Sequence, residues 1–438
     1  MRRSKRVFSR RQTRRAAVAI LWSVVLLAPA LGGLALTQIA GGLLSFASAQ
    51  SVTGSSGWGG ICPSAQQSGR CMWSSGLALA PSTGQILMTT TEATMGSYTH
   101  NYSLLFNSTS ASVFSTLNLS CTAADPYYPG SGADFYIPCD PPNPSSNIGS
   151  ILIVDLSTDQ VVGQIPLKGF YTSWWAPEGL AWDSANGLLY ACNNHLGALL
   201  ALNTTAQSTV FNVTIPGGCA WVIYDSSSND LVVSGASPFV GGGNGLRVVD
   251  PQSGQVTTTP FNTAVTAGAV DSAAGWMALG TALSGNALVG SVMFVNASTL
   301  EPISTTSLTA PYGTGFGVPI QMLLDPAHGD LYVVTAGNVF AINYTSRDVL
   351  ADIGIATSGP GDFSSIYVPS TDSLYLPLEA VIVTVSLTHG SYVEISSILW
   401  LPVSGGTLVI AGLAGTVAAV AVYLRRSHGP KNARPPSP

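Results

Sequence analysis

Charge is what this chain has least of. Only 8% of its 438 residues are Asp, Glu, Lys or Arg, about a third of the usual share. Cations are scarcer still where they would matter. Between the two terminal apolar runs there are four, Arg70, Lys168, Arg247 and Arg347, against all 21 acids, a net of −17. A surface of that sign repels phosphate, so nucleic acid and anionic lipid headgroups are excluded as partners of the middle. No C-x-x-C pair is present, which argues against a structural zinc. Neither an HExxH helix nor a GxSxG elbow occurs, and no cofactor motif is visible. Gly, Ser, Thr and Asn fill the space that charge leaves, a composition suited to short strands joined by many turns.

The missing cations are at the ends. Eight precede Ala16 and four follow Leu424. Residues 16–36 are apolar, longer than a signal-peptide core of up to about 15 residues, yet Ala47-Ser48-Ala49 has the small residues of a cleavage site. Cleaved signal and retained anchor are equally compatible with this pattern. Residues 403–424 are apolar, bordered by Trp400 and Tyr423 and stopped by Arg425-Arg426, as a membrane span of about 20 residues requires. The positive-inside rule then puts both ends in the cytoplasm and the acidic middle outside. Four segments are expected: 1–49, basic with a signal peptide or anchor; 50–398, extracellular; 399–424, a transmembrane helix; 425–438, a cytoplasmic tail. The localisation expected is the cell membrane, with one or two passes.

Cysteines and sequons agree with that side. Cys62, Cys71, Cys121, Cys139, Cys192 and Cys219 are an even set confined to the middle, which points to disulfides in an oxidising compartment. Pairing of neighbours, 62–71, 121–139 and 192–219, is one of 15 connectivities open to six cysteines. N-x-S/T occurs at Asn101, Asn107, Asn118, Asn203, Asn212, Asn296 and Asn343, all in the middle.

The strongest pattern is a repeat. An apolar strand, a turn with Asp or Pro and Gly, Ser or Asn, and a second apolar strand recur seven times. The copies begin at Leu77, Tyr127, Leu180, Val222, Gly268, Leu323 and Ile366. Successive turns stand about 40 to 55 residues apart, the period of a four-stranded propeller blade. The expected fold is all-β, a seven-bladed β-propeller, with six or eight blades as alternatives. An N-terminal signal or anchor helix and a C-terminal transmembrane helix flank it. Strand direction alternates, so first–second and third–fourth strand turns share one face, and the remaining loops share the other. Asp in the first kind of turn is expected to bond its own backbone. Asn107, Asn203, Asn296 and Asn343 are expected to end third strands, as Asp155 and Asp250 do.

The cleanest unit runs from Ser150. Val154-Asp155, Thr158, Val161-Val162 and Ile165 form its first half. Pro177, Gly179, Ala181, Asp183, Leu189-Tyr190 and Asn193 form its second. It resembles the YVTN family of propeller repeats, over roughly residues 77–387. Sparse charge and many sequons also resemble archaeal cell-surface proteins. Both resemblances imply a fold and a location and are nearly silent on activity.

Candidate ligand contacts are the aromatic loops expected on the face away from the Asp turns: Tyr127, Tyr128, Tyr171, Trp174, Trp175 and Glu178, with Asn193 and His195 beside them. Rings stack on sugar C–H groups and amides bond hydroxyls. The function expected is a membrane-anchored binding, adhesion or envelope module for a surface glycan or protein partner, with no cofactor and no catalytic residue assigned. The alternative is an extracellular hydrolase or lyase of the lactonase kind. Glu178, Asn193 and His195 would then be the groups to hold a metal on the axis.

Overall fold

The computed structural model describes residues 70–399 apart from the segments 95–96, 110–112, 131, 133, 141–147, 170–178, 194–195, 236–244, 260, 262, 283–288, 310–316, 336, 355–363, 379–380 and 389–391. Both terminal apolar segments, the expected boundaries at 49/50 and 424/425 and Cys62 lie outside the described residues, while Leu399, the first residue of the expected transmembrane segment, ends the last strand. Among the described residues no helix is long and apolar enough to cross a membrane.

These residues form an all-β β-propeller whose strands pair antiparallel as seven four-stranded sheets. Sheet 1 holds β1 (Arg70–Ala80), β2 (Gln85–Thr94), β3 (Ser97–Asn107) and β4 (Val113–Leu119). Sheet 2 holds β5 (Thr122–Ala123), β6 (Asp134–Asp140), β7 (Ile148–Asp155) and β8 (Gln160–Lys168). Sheet 3 holds β9 (Leu180–Asp183), β10 (Leu188–Asn193), β11 (Ala198–Asn203) and β12 (Ser208–Thr214). Sheet 4 holds β13 (Trp221–Asp225), β14 (Asp230–Ser234), β15 (Leu246–Val249) and β16 (Val256–Thr258). Sheet 5 holds β17 (Ala264–Asp271), β18 (Trp276–Ala282), β19 (Val289–Asn296) and β20 (Pro302–Thr309). Sheet 6 holds β21 (Pro319–Asp325), β22 (Asp330–Thr335), β23 (Asn338–Asn343) and β24 (Val349–Gly354). Sheet 7 holds β25 (Ile366–Val368), β26 (Ser373–Leu378), β27 (Val381–Thr388) and β28 (Tyr392–Leu399).

Burial follows position within a sheet. Second and third strands are covered on both faces, so they read as unbroken apolar runs: five of the six residues of β11 (ALLALN) are buried. Fourth strands have one neighbour and face solvent, and β12 (STVFNVT) has no buried residue. A period-2 alternation is therefore weak, because a strand between two packed faces has no solvent side.

The core is divided into clusters, and each spans one junction between neighbouring sheets. Leu87 and Leu105 of sheet 1 meet Phe135, Ile137 and Leu152 of sheet 2. Tyr136 and Ile151 meet Leu189 and Leu202 of sheet 3. Tyr190 and Leu199 meet Val222 and Val233 of sheet 4. Trp221 and Val232 meet Met277 and Leu279 of sheet 5. Phe294 and Ala278 meet Val333 and Phe340 of sheet 6. Tyr332 and Val339 meet Leu374 and Leu376 of sheet 7. The last junction joins the ends of the chain: Ile366, Val368 and Tyr375 of sheet 7 pack on Leu77, Ile86, Met88 and Phe106 of sheet 1.

That seam is built without exchanging a strand, since sheets 1 and 7 each use four consecutive strands. It is tied by a parallel bridge between Gly76 and Ser364. The Leu77 N–H donates to the Ser364 carbonyl at 2.9 Å, and the Tyr375 hydroxyl donates to the Ser108 carbonyl at 2.7 Å. Glycine at 76 permits a close approach: a Cβ there would displace the Asp125 and Ser364 side chains.

First–second strand turns behave as the repeat predicts. Asp183 Oδ1 accepts the N–H groups of Ala185 and Asn186 at 2.9 and 3.0 Å. Asp225, Asp271 and Asp325 do the same in their sheets. The fifth turn residue is left-handed in each: Gly187 (φ 66°), Asn229 (φ 57°), Gly275 (φ 71°) and Gly329 (φ 77°), which explains the Gly or Asn at the end of the repeated phrase.

The seam depends on Phe106, which is wholly buried there. Phe106→Ala is expected to lower unfolding free energy by about 3–5 kcal/mol. Urea unfolding followed by tryptophan fluorescence checks it, with Phe114→Ala on the exposed outer strand changing stability far less.

Candidate functional site

First strands of six sheets, together with Pro126, Tyr127 and Tyr128 just beyond the first strand of sheet 2, line a common cavity of about 500 Å³. Its wall carries Tyr127, Tyr128, Trp182, Tyr224 and Tyr367, with Leu77, Ile223, Leu323 and Ile366 between the rings. Gln321, Ser364 and Ser365 supply polar groups, and among the described residues no acidic or basic one is in the lining. Much of the wall is locked. Gln321 donates to the Ser365 carbonyl at 3.1 Å and accepts the Ser365 N–H at 2.6 Å. Tyr127 Oη accepts the Trp182 N–H at 3.0 Å. Trp182 lies parallel to Tyr136, with ring centroids 6.2 Å apart.

Tyrosine hydroxyls at one end of the cavity are held by carboxylates from the Asp turns. Tyr367 Oη donates to Asp372 Oδ1 at 3.1 Å and is also hydrogen-bonded to Asp325 of the preceding sheet. Tyr224 donates to Asn229 Oδ1 at 2.8 Å and is hydrogen-bonded to Asp183, again from the sheet before. Burial, reinforced by these carboxylates, pushes the Tyr224 phenol up to about 12. Burial likewise raises Tyr127 to about 12. Both phenols therefore stay protonated across the physiological range. Ser272 Oγ donates to Asp225 at 2.6 Å in a third inter-sheet link of this kind. Burial raises the Asp225 carboxyl, but bonds from Ser272, Ser227 and Ser228 outweigh it, and its pKa is lowered overall.

Beside Tyr367, one side chain from each of Asp325, His328 and Asp372 offers a ligand atom, all within 4.8 Å of one another. His328 Nδ1 is 2.7 Å from Asp325 Oδ2. Geometrically the three could hold a divalent cation. Asp325 already accepts the Ala327 N–H at 3.1 Å, so a cation would compete with the turn.

Two expected disulfides are present. Cys121 joins Cys139 within sheet 2, and Cys192 joins Cys219, with Cα–Cα distances of 5.5 and 5.1 Å. The second links the end of β10 to the lead-in of β13 and so ties sheet 3 to sheet 4. Cys62–Cys71 lies outside the described residues.

The expected ligand residues separate. Tyr127 and Tyr128 do not belong to a loop on the face away from the Asp turns. Tyr127 bridges Tyr136 antiparallel, so it prolongs the first strand of sheet 2 along the cavity wall. Tyr128 leads into that sheet's own first turn, its ring 5.5 Å edge-on from Phe135. The reason is register: the Tyr-Tyr-Pro-Gly phrase is a copy of the repeat's strand and turn, not a linker. Asn193 is buried and holds backbone: its Nδ2 donates to the Gly169 carbonyl at 2.9 Å, and its Oδ1 accepts the Leu196 N–H at 3.2 Å. Tyr171, Trp174, Trp175, Glu178 and His195 lie outside the described residues. Trp182, Tyr224, Tyr367 and Gln321 were not singled out by sequence reasoning. The available signal was an aromatic near the end of the repeat's first strand, as in LAWD, VIYD and IYVP.

Sequon asparagines lie where the repeat puts them. Asn107, Asn203, Asn296 and Asn343 are the last residues of third strands. Each Oδ1 accepts turn N–H groups, as in Thr299 to Asn296 at 2.9 Å and Ser346 to Asn343 at 2.9 Å. Asn118 and Asn212 lie in outer strands and are exposed; Asn101 lies in β3.

Fold and cavity define a β-propeller with an aromatic-lined cavity among its first strands. No protein-family model and no curated protein matches the chain, so the YVTN resemblance rests on its residues alone. Solved structures that are similar include Kuenenia stuttgartiensis hydrazine synthase, at 13% identity over 73% of this chain and 96% of that one, TM-score 0.52. A chain of the mitotic checkpoint complex is similar at 14% identity over 75% and 94%, TM-score 0.52. At such identities the likeness is one of fold.

His328 supplies a pH test. Its hydrogen bond to Asp325 raises its pKa above the ordinary 6.5. A raised histidine stabilises the fold fully below 6.5 and loses that contribution as pH climbs through the raised value. A modest fall in melting temperature is expected from pH 6.5 upward through the neutral range, absent in His328→Gln. Differential scanning fluorimetry of both proteins across this range checks it.

Proposed function

We propose that the chain is a membrane-anchored, extracellular, seven-bladed β-propeller that binds an uncharged, carbohydrate-like ligand rather than transforming it. The observation that carries this reading is the central cavity: about 500 Å³, within the usual range for small-molecule sites. Its aromatic rings match the C–H faces of sugars, its hydroxyls and amide match their oxygens, and its lining residues carry no charge. Seven junction clusters for seven sheets support the blade count. Two disulfides support an oxidising compartment. The basic ends, the apolar runs 16–36 and 403–424 and the sequons support segments 1–49, 50–398, 399–424 and 425–438 with the propeller outside and the C-terminus in the cytoplasm. Tyr171, Trp174, Trp175, Glu178 and His195 stay part of this reading as ligand contacts expected from the sequence. A protein partner in the cell envelope would use the same mouth.

A glycan array probed with the detergent-solubilised full chain, followed by calorimetry on any hit, tests the binding. Trp182→Ala is expected to weaken a hit at least about 10-fold, the loss of one stacked ring of about 1.5 kcal/mol. Unchanged affinity in a folded Trp182→Ala protein refutes the cavity as the seat.

One observation favours the hydrolase or lyase reading: Asp325, His328 and Asp372 meet beside the cavity wall. Metal analysis of protein from its own host discriminates. A stoichiometric divalent ion lost in Asp372→Asn would favour the enzyme.

Topology has its own test. Protease added to intact cells is expected to cut within 50–398 and to spare an epitope placed after Pro438. Protection of 50–398 overturns the orientation.

A further inference from the structure

Outer strands of the propeller share a defect that edge protection alone does not explain. In sheet 3, Ala201 pairs with Phe211 and Leu202 with Thr209, so Val210 is an extra residue in a β-bulge. Phe114 is extra in β4, Val162 in β8, Ile303 in β20 and Leu350 in β24, by the same register shift. A bulge at a sheet edge discourages pairing with another chain. A Ser or Thr, abundant in these strands, would serve that purpose. Instead all five are large and apolar, and 46% to 57% of each is exposed. The result is a girdle of solvent-facing hydrophobic side chains at one level around the rim.

The girdle is in register with the sequons. Phe114, Val210, Ile303 and Leu350 each stand seven residues after Asn107, Asn203, Asn296 and Asn343. Asn203 is paired with Ser208, so Val210 lies two strand residues further on, about 7 Å away. Asn296 and Asn343 open turns of the same length, closed by Glu301 and Asp348. In all four, turn N–H groups occupy Oδ1, and Nδ2 is the atom that glycosylation uses. The two sheets with Asp in that place differ. Sheet 2, with Asp155, keeps the bulge and Val162. Sheet 4, with Asp250, has an unshifted register and Thr257.

We propose that the girdle seats the chain's own N-linked glycans, the first sugars on Asn107, Asn203, Asn296 and Asn343 packing their C–H faces on Phe114, Val210, Ile303 and Leu350. The inference rests on the extracellular reading above. It gives the apolar residues a covering that one outer strand cannot supply. It also holds each glycan against the rim, away from the mouth of the cavity.

The test is a double-mutant cycle in full-length protein from its own host. Ser298→Ala and Thr205→Ala remove the sequons of Asn296 and Asn203 while leaving both asparagines in their turns. Ile303→Ser is expected to lower the melting temperature by several degrees in the glycosylated protein and by much less beside Ser298→Ala; Val210→Ser with Thr205→Ala behaves alike. Val162→Ser, beside Asp155, is the control and is expected to be insensitive to either background. Release of the Asn296 glycan from native protein by an endoglycosidase should be several-fold faster in Ile303→Ser. Equal effects with and without the sequon, on asparagines that mass spectrometry finds modified, overturn the packing and leave the location intact. Unmodified asparagines overturn the packing together with the glycoprotein reading. If Ile303→Ser instead dissolves an oligomer seen by sedimentation, the girdle belongs to a second copy and the proposal falls.

Discussion

Everything in this fold waits on the junction between sheet 7 and sheet 1. Each sheet is too thin to bury its own apolar surface, and it is stable only between two neighbours. A ring has no end sheets if it closes, and two bare faces if it does not. Here closure relies on side-chain packing and one backbone bridge rather than a shared strand, because the terminal sheets are each complete in themselves. Phe106, Ile86, Tyr375 and Ile366 supply the packing, and Ser364, lodged against Gly76, supplies the hydrogen bonds. The two halves of the seam lie more than 200 residues apart in sequence (the Tyr375–Ser108 bond spans 267). Ring closure therefore comes late in chain order, and every other junction is local by comparison.

The Asp turns show how one residue serves two levels of structure. Within a sheet, Asp183, Asp225 and Asp325 satisfy the turn's own N–H groups. Between sheets, the same carboxylates accept hydroxyls from Tyr224, Ser272 and Tyr367 of the next sheet. A local turn device thereby becomes a ring of inter-sheet clasps around the axis. Arg347 makes a comparable bond farther out, its guanidinium 4.0 Å from the Phe294 ring centroid in the neighbouring sheet. With so few charges, the chain uses several of the buried ones, Asp183, Asp225 and Asp325, as fasteners between sheets. The cavity wall is left to aromatic and aliphatic residues, a neutral surface inside an acidic protein.

What is periodic could be read along the chain. The seven strand–turn–strand phrases, the Asp and Gly of their turns, the third-strand ends at Asn203 or Asn343 and the 121–139 and 192–219 disulfides were legible. Each is set by neighbours a few residues away or by the spacing of the repeat. Tertiary structure alone decided what faces what. Tyr127 became cavity wall instead of loop because a bridge to Tyr136 extends its strand. Asn193 became a backbone clamp because its loop packs on Gly169. Trp182, Tyr224 and Tyr367 became a site only when first strands of different sheets met around one cavity. The outer-strand bulges were equally hidden, since a register shift is a relation between two strands and leaves no mark on either one alone. Local chemistry can be read along the chain; an axis, a seam and a register exist only between segments distant in it.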